Sequence, residues 1–195
     1  MQEEQEIKTP IHTNKVGHDL LEIVRVLLVS LAIVLPIRYF IIQPFIVRGA
    51  SMEPNFYDKE YLIVDEISYY FGEPTRGDTI VFRYPLNTSQ YFIKRIIALP
   101  GETIKISDGK VHIFNGQNPE GFLLDEPYLE NAIHSTHPAS EVMLGKDEFF
   151  VLGDNRDFSS DSRVWGSLKR EFIVGRVLFR AWPLERFGVL ITHNS

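Results

Sequence analysis

From Leu20 the chain runs LLEIVRVLLVSLAIVLPIRYFIIQPFIV, an almost wholly aliphatic stretch that is apolar on all sides rather than two-faced. Its uncharged part, Val26 to Ile37, is 12 residues, and a bilayer core needs about 20 helical residues. A spanning helix must therefore carry Arg25 or Arg38 near its ends, where long side chains can snorkel. No small-x-small cleavage site follows the apolar run, so a transmembrane anchor over 20–42 is expected rather than a cleaved leader or a surface helix. Pro36 and Pro44 place the helix end near Tyr39 to Ile42. Residues 1–19 are polar without apolar periodicity and read as a tail.

Beyond Gln43 the period shortens. The runs Phe45 to Arg48, Glu60 to Glu66, Asp78 to Tyr84, Tyr91 to Leu99, Glu102 to Ser107, Lys110 to Phe114, Phe149 to Gly153 and Ile173 to Trp182 are β-branched or aromatic. Gly, Pro, Asp or Asn bound them, which predicts a mainly β, antiparallel domain over 43–195. Ser107-Asp-Gly109 lies between two of these runs and predicts a hairpin. Residues 115–147, opened by a cluster of Gly and Pro, are expected to leave the sheet as a long loop excursion.

Composition narrows the function. A formal charge of -6 argues against a nucleic-acid partner, which would require a basic face. The absence of cysteine excludes disulfides, thiolate metal sites and a thiol nucleophile. The six histidines lie near the termini, in a predicted hairpin (His112) or in a polar loop (His134, His137), so neither a histidine triad nor a metal centre is expected. A hydrolase with this composition has to activate Ser or Thr, or use paired carboxylates.

Three segments carry candidate chemistry. Ser51 follows an apolar strand in Val47-Arg-Gly-Ala-Ser-Met-Glu-Pro54, where Gly49 allows close backbone approach. An ordinary turn serine would read the same. Lys94 sits within Tyr91-Phe-Ile-Lys-Arg-Ile-Ile-Ala98, and alternation puts it with Phe92 and Ile96, opposite Ile93, Arg95 and Ile97. Enclosure by apolar side chains would lower its pKa and free an amine to accept a hydroxyl proton, whereas an edge position would let it snorkel. The stretch Gly153-Asp-Asn-Arg-Asp-Phe-Ser-Ser-Asp-Ser-Arg-Val-Trp-Gly166 matches Arg forks with carboxylates. It reads as a solvated loop, a calcium loop without EF-hand spacing, or an ion-pair network bracing a site.

Together with Ile37 to Val47 and Arg76-Gly-Asp-Thr-Ile-Val-Phe82, these segments resemble the type I signal peptidases over residues 38–183. The resemblance implies a signal-peptidase-like antiparallel β catalytic domain behind one N-terminal transmembrane helix. It implies a serine endopeptidase without metal or cofactor, in which Ser51 is the nucleophile and Lys94 the general base. Ser159 would orient the Lys94 amine, Asp154 would pair with Arg95, and Asp161 with Arg163. Phe45, Val47, Met52, Val81, Phe92 and Ile93 match positions lining small apolar pockets that admit Ala-x-Ala-like ends. Gly49 stands where the Gram-negative branch has a seryl oxyanion donor, which leaves the Ser51 N–H as the donor expected here. The segment 102–147 is shorter than in larger relatives, so a full second domain is not expected. The implied partners are precursor proteins bearing signal peptides, membrane lipid and the neighbouring export translocon. The implied location is the cell membrane, single-pass, with the catalytic domain outside. A self-cleaving repressor-type protease and a membrane-tethered binding module are the competing classes; the first lacks its DNA-binding helices here.

Overall fold

A computed structural model describes residues 15–40, 42–129 and 140–190, with the side chains of 15–18 and 36–42 outside the description. The polar tail to residue 14 and the loop holding His134 and His137 lie outside it too. The chain divides into two compact units, Met1–Tyr39 and Phe40–Ser195.

The first unit contains helix α1, Lys15–Phe40. It covers most of the expected 20–42 segment and ends where Pro44 bars continuation. Every large apolar side chain from Leu20 to Leu35 is exposed. Among the described residues, no helix is long and apolar enough to cross a membrane.

The second unit is β-rich. Its larger sheet orders β1 (Ile42–Ile46), β2 (Tyr61–Asp65), β11 (Ile173–Trp182), β3 (Thr79–Tyr84), β4 (Asn87–Ala98), β9 (Glu148–Leu152) and β10 (Leu168–Lys169), with β12 (Gly188–Val189) on β11. The smaller sheet orders β7 (Phe122–Leu123), β6 (Lys110–Phe114), β5 (Thr103–Ser107) and β8 (Ser140–Met143). All neighbours are antiparallel. Two four-residue helices, α2 (Ser68–Phe71) and α3 (Ser162–Trp165), fill connections.

The expected hairpin forms: Ser107 pairs with Lys110 across Asp108 (φ 50°) and Gly109 (φ 73°), the two left-handed residues of a primed turn. The expected excursion at 115–147 needs correction, because it supplies β7 and β8 to the second sheet. Those strands are two and four residues long and carry little alternation, so sequence periodicity passes over them. The smaller sheet has no core of its own. Ile104, Ile106, Val111 and Ile113 pack with Ile97, Ala98, Phe150 and Leu152 of the larger one. Strand β4 carries this junction, since its second half is buried on both faces while its first half is exposed.

Candidate active site

Ser51 lies just past β1, in a turn clamped from three directions. Phe56 N–H donates to Met52 O at 2.9 Å, closing the turn on itself. Val47 N–H donates to Glu60 O and Lys59 N–H to Val47 O, each at 2.9 Å, anchoring its approach to the start of β2. Asn155 holds the far side, its N–H on Ser51 O at 3.1 Å and its Nδ2 on Ala50 O at 3.0 Å. Among the described residues no hydrogen bond is found from the Ser51 N–H.

Lys94 Nζ donates to Ser51 Oγ at 2.7 Å and to Ile93 O at 2.8 Å. Its side chain is brought there by β4, whose register opposes Lys94 to Ile80 of β3. The residue is 3% exposed. Burial drives its pKa from 10.5 down to about 8; the Asp161 and Asp154 carboxylates pull the other way, and the Arg163 guanidinium assists the fall. The Phe92 ring, 5.5 Å from Nζ, and its stacked partner Tyr84, 4.4 Å between centroids, form part of the apolar surroundings.

Two buried forks flank this pair. Arg95 donates from Nε and Nη2 to Asp154 at 2.8 and 2.6 Å, and from Nη1 to Gly77 O. Arg163 donates from Nε and Nη2 to Asp161 at 2.8 and 2.7 Å. Burial opposes ionisation of Asp161, yet Arg163, the Gly153 N–H and the Ser159 hydroxyl outweigh it and hold the carboxyl below its usual range. Bidentate geometry explains how these four charges tolerate burial, since each carboxylate is met by a planar pair of donors.

A groove of about 690 Å³ opens beside the pair and is lined by Ser51, Lys94, Phe45, Val47, Val81, Phe92 and Ile93. Five of the six expected pocket residues therefore line it. Met52 does not: it is fully buried between Val47, Phe56, Leu62 and Val177, in the layer beneath. Gly49, expected only to support the turn, shapes it. Its N–H is committed to Asp58 Oδ1 at 2.9 Å, and its φ of 84° gives it the left-handed bend leading into the Ser51 turn. Ser159 is buried and faces Asp161 without a hydrogen bond of ordinary geometry; no bond joins it to Lys94, whose second contact is Ile93 O.

Sequence reasoning missed several residues that shape the site. Gly153 has no room for a side chain, as a Cβ there would fall 2.2 Å from Ser159 Oγ and 2.4 Å from Ser51 O. Asn55 donates to Asp154 Oδ2 at 2.9 Å and to Tyr128 O at 2.8 Å. The Tyr128 ring lies 4.1 Å from the Arg95 guanidinium carbon, and Glu126 binds both the Tyr128 hydroxyl and Arg156. Arg180 and Arg186 of the C-terminal region meet on Glu60 and both donate to Asn55 O. A composition shift marks none of these, apart from Gly153 and Arg156 within the polar segment itself.

Residues 20–182 match the family described as signal peptidase, peptidase S26. The chain is 38% identical over 176 residues to a probable signal peptidase I-1 of Synechocystis sp., covering 87% of this chain and 86% of that one. It is 37% identical over 184 residues to signal peptidase I of Leptolyngbya laminosa, covering 90% and 86%. A crystal structure of a signal peptidase I from Enterococcus faecalis V583 is 31% identical, with a TM-score of 0.45, covering 54% of this chain and 97% of that one. The chain belongs to the signal peptidase family, peptidase S26, and is an endopeptidase of its signal peptidase I class.

Proposed function

We propose that this enzyme removes N-terminal signal peptides from exported precursors after small-x-small sites, with Ser51 as nucleophile and Lys94 as general base. The observation that carries the reading is the 2.7 Å contact between Ser51 Oγ and a lysine amine that burial has made easy to deprotonate. A neutral amine at that distance accepts the hydroxyl proton as Oγ attacks the scissile carbonyl. The Ser51 N–H meets the developing oxyanion, a charge that a fixed backbone dipole stabilises without reorganisation. Lys94 then passes its proton to the leaving amine. The acyl-enzyme is hydrolysed as Lys94 draws a proton from the water that attacks the acyl carbon and then gives it to the departing Ser51 Oγ, restoring the starting state.

The ion pairs act one layer out. Arg95 and Asp154 hold the strand that bears Lys94, and Asp161 with Arg163 holds the segment carrying Ser159; orientation of the Lys94 amine by Ser159 would require its unbonded hydroxyl to turn to the amine during the reaction. Phe45, Val47, Val81, Phe92 and Ile93 supply shallow apolar contacts for small side chains, and an extended precursor segment adds to the exposed strand edges along the groove. Gly49 contributes the bend of the nucleophile turn rather than an oxyanion donor.

Helix α1 serves as a single-pass anchor, with lipid around its exposed apolar side chains and the catalytic unit outside, near the export translocon. Tethering both enzyme and signal peptide to one bilayer raises their effective concentration. The test is cleavage of a purified precursor by wild type, Ser51→Ala and Lys94→Ala in detergent, with folding followed by thermal unfolding. Cleavage by wild type alone, among three folded proteins, supports the reading. A folded Lys94→Ala enzyme that cuts as fast as wild type removes Lys94 as the base.

A further inference from the structure

The groove beside Ser51 has an unusual charge pattern for an acidic protein. The chain holds 26 Asp and Glu against 20 Lys and Arg, yet none of the residues lining the groove is acidic. Two nitrogen bases line it, Lys94 and Arg48. Lys94 is already engaged with Ser51 and Ile93 O. Arg48 is exposed and forms no ion pair among the described residues. Its situation contrasts with Arg76, Arg95, Arg156 and Arg163, each of which is bound to a carboxylate.

Nor is Arg48 a loosely placed surface cation. Val47 on one side is hydrogen-bonded in both directions to 59–60, and Gly49 on the other is fixed through its N–H to Asp58. That bond engages one oxygen of Asp58, ten residues along the chain from Arg48, and no ion pair joins the two among the described residues. The guanidinium therefore rises from a fixed point three residues before the nucleophile, on the rim of an apolar groove. Low-dielectric walls strengthen the field of such a charge inside the groove, and its planar donor fork matches a carboxylate.

We propose that Arg48 determines specificity by favouring substrates with an acidic side chain close to the bond to be cut. The inference deepens the peptidase reading and rests on it. The apolar pockets then select small side chains, while Arg48 adds a charge criterion that apolar pockets cannot supply.

The experiment uses the full chain in non-ionic detergent and a set of otherwise identical small-x-small peptides. In these, Glu, Gln or Lys occupies in turn each of the three positions on either side of the scissile bond. Wild type is expected to favour Glu over Gln at one or two positions by roughly threefold to tenfold in kcat/KM, with the ratio shrinking as salt is added. In Arg48→Gln the ratio falls to about one, and in Arg48→Glu it drops below one while Lys becomes the favoured residue. A ratio of one at every position in wild type, or a preference undiminished in Arg48→Gln, overturns the inference while leaving the peptidase reading intact. So does an Arg48-dependent rate gain that is seen only when vesicles of anionic lipid are added, which would assign the side chain to the membrane surface. Failure of wild type to cut any peptide brings down the peptidase reading and this inference together.

Discussion

At the scale of a residue, Lys94 shows how one environment sets both chemistry and stability. Its pKa is about 8 in the folded chain against 10.5 when solvated. Between those values the unfolded chain binds a proton that the folded one does not, so stability rises with pH across that window. A gap of about 2.5 units corresponds to about 3 kcal/mol, present as a penalty below pH 8 and removed by pH 10.5. Lys94→Met should therefore unfold at higher denaturant than wild type at pH 7, with the difference narrowing towards pH 10.5. The same ionisation governs turnover. With Lys94 as the proposed base, kcat/KM should climb tenfold per pH unit below an apparent pKa near 8, a limb that stopped-time peptide assays can trace.

Glycine makes the opposite contribution, by absence of a side chain. Gly153 ends β9 where the Ser51 turn and Ser159 converge, and a methyl there would overlap Ser51 O and Ser159 Oγ. Displacing the turn by about 1 Å would move Ser51 Oγ from the amine proposed as its base, enough to cost about 10²-fold in rate. Gly153→Ala is thus expected to lose at least that factor in kcat, with the Ser51–Lys94 separation in a crystal structure of the variant reporting the cause.

At the scale of elements, the smaller sheet is coupled to the site through residues 124–129, which follow β7. Tyr128 covers the Arg95–Asp154 pair with its ring, and Asn55 joins Tyr128 O to the same Asp154. Uncovering a buried ion pair admits water and weakens its bonds. Tyr128→Ala should lower stability by about 2–4 kcal/mol and reduce kcat, whereas Tyr128→Phe keeps the ring and should lose about 1 kcal/mol with the Glu126 hydrogen bond. Chemical denaturation of the two variants side by side separates the ring from the hydroxyl.

At the scale of the whole molecule, the two units differ in what they bury. Among the described residues, the β unit has three apolar clusters, two of them confined to the larger sheet and its connections and one uniting the two sheets. Helix α1 exposes its apolar side chains from Leu20 to Leu35. A chain beginning at Phe40 is expected to fold and to cut short soluble peptides at close to the full-length rate. With α1 as the proposed anchor, its cleavage of precursors inserted in vesicles should fall by about 10²-fold or more through loss of effective concentration. Comparing both substrates with both chains measures the anchor's contribution.

Much of this protein was legible before any coordinates. Eight strand segments were marked by β-branched runs between turn residues, because a half-buried pleated strand imposes a period of two on its own sequence. The helix end near residue 40 and the 107–110 hairpin were equally local, set by proline and by a residue pair that tolerates positive φ. The candidate residues Ser51, Lys94 and the 153–166 segment also drew attention locally, one by its turn, one by a charge in an apolar strand, one by its polar density.

What lay beyond the sequence was distance. That Lys94 Nζ lies 2.7 Å from Ser51 Oγ follows from strand order and register, in which β3 aligns β4 and β1 reaches the groove by way of β2 and β11. The two-residue β7, the covering ring of Tyr128, the commitment of Gly49 N–H to Asp58 and the burial of Met52 depend likewise on partners far along the chain. Local sequence dictates backbone preference and which face is apolar; only the closed fold decides which groups lose their water and what they meet when they do, and that is where a lysine amine acquires a pKa near 8.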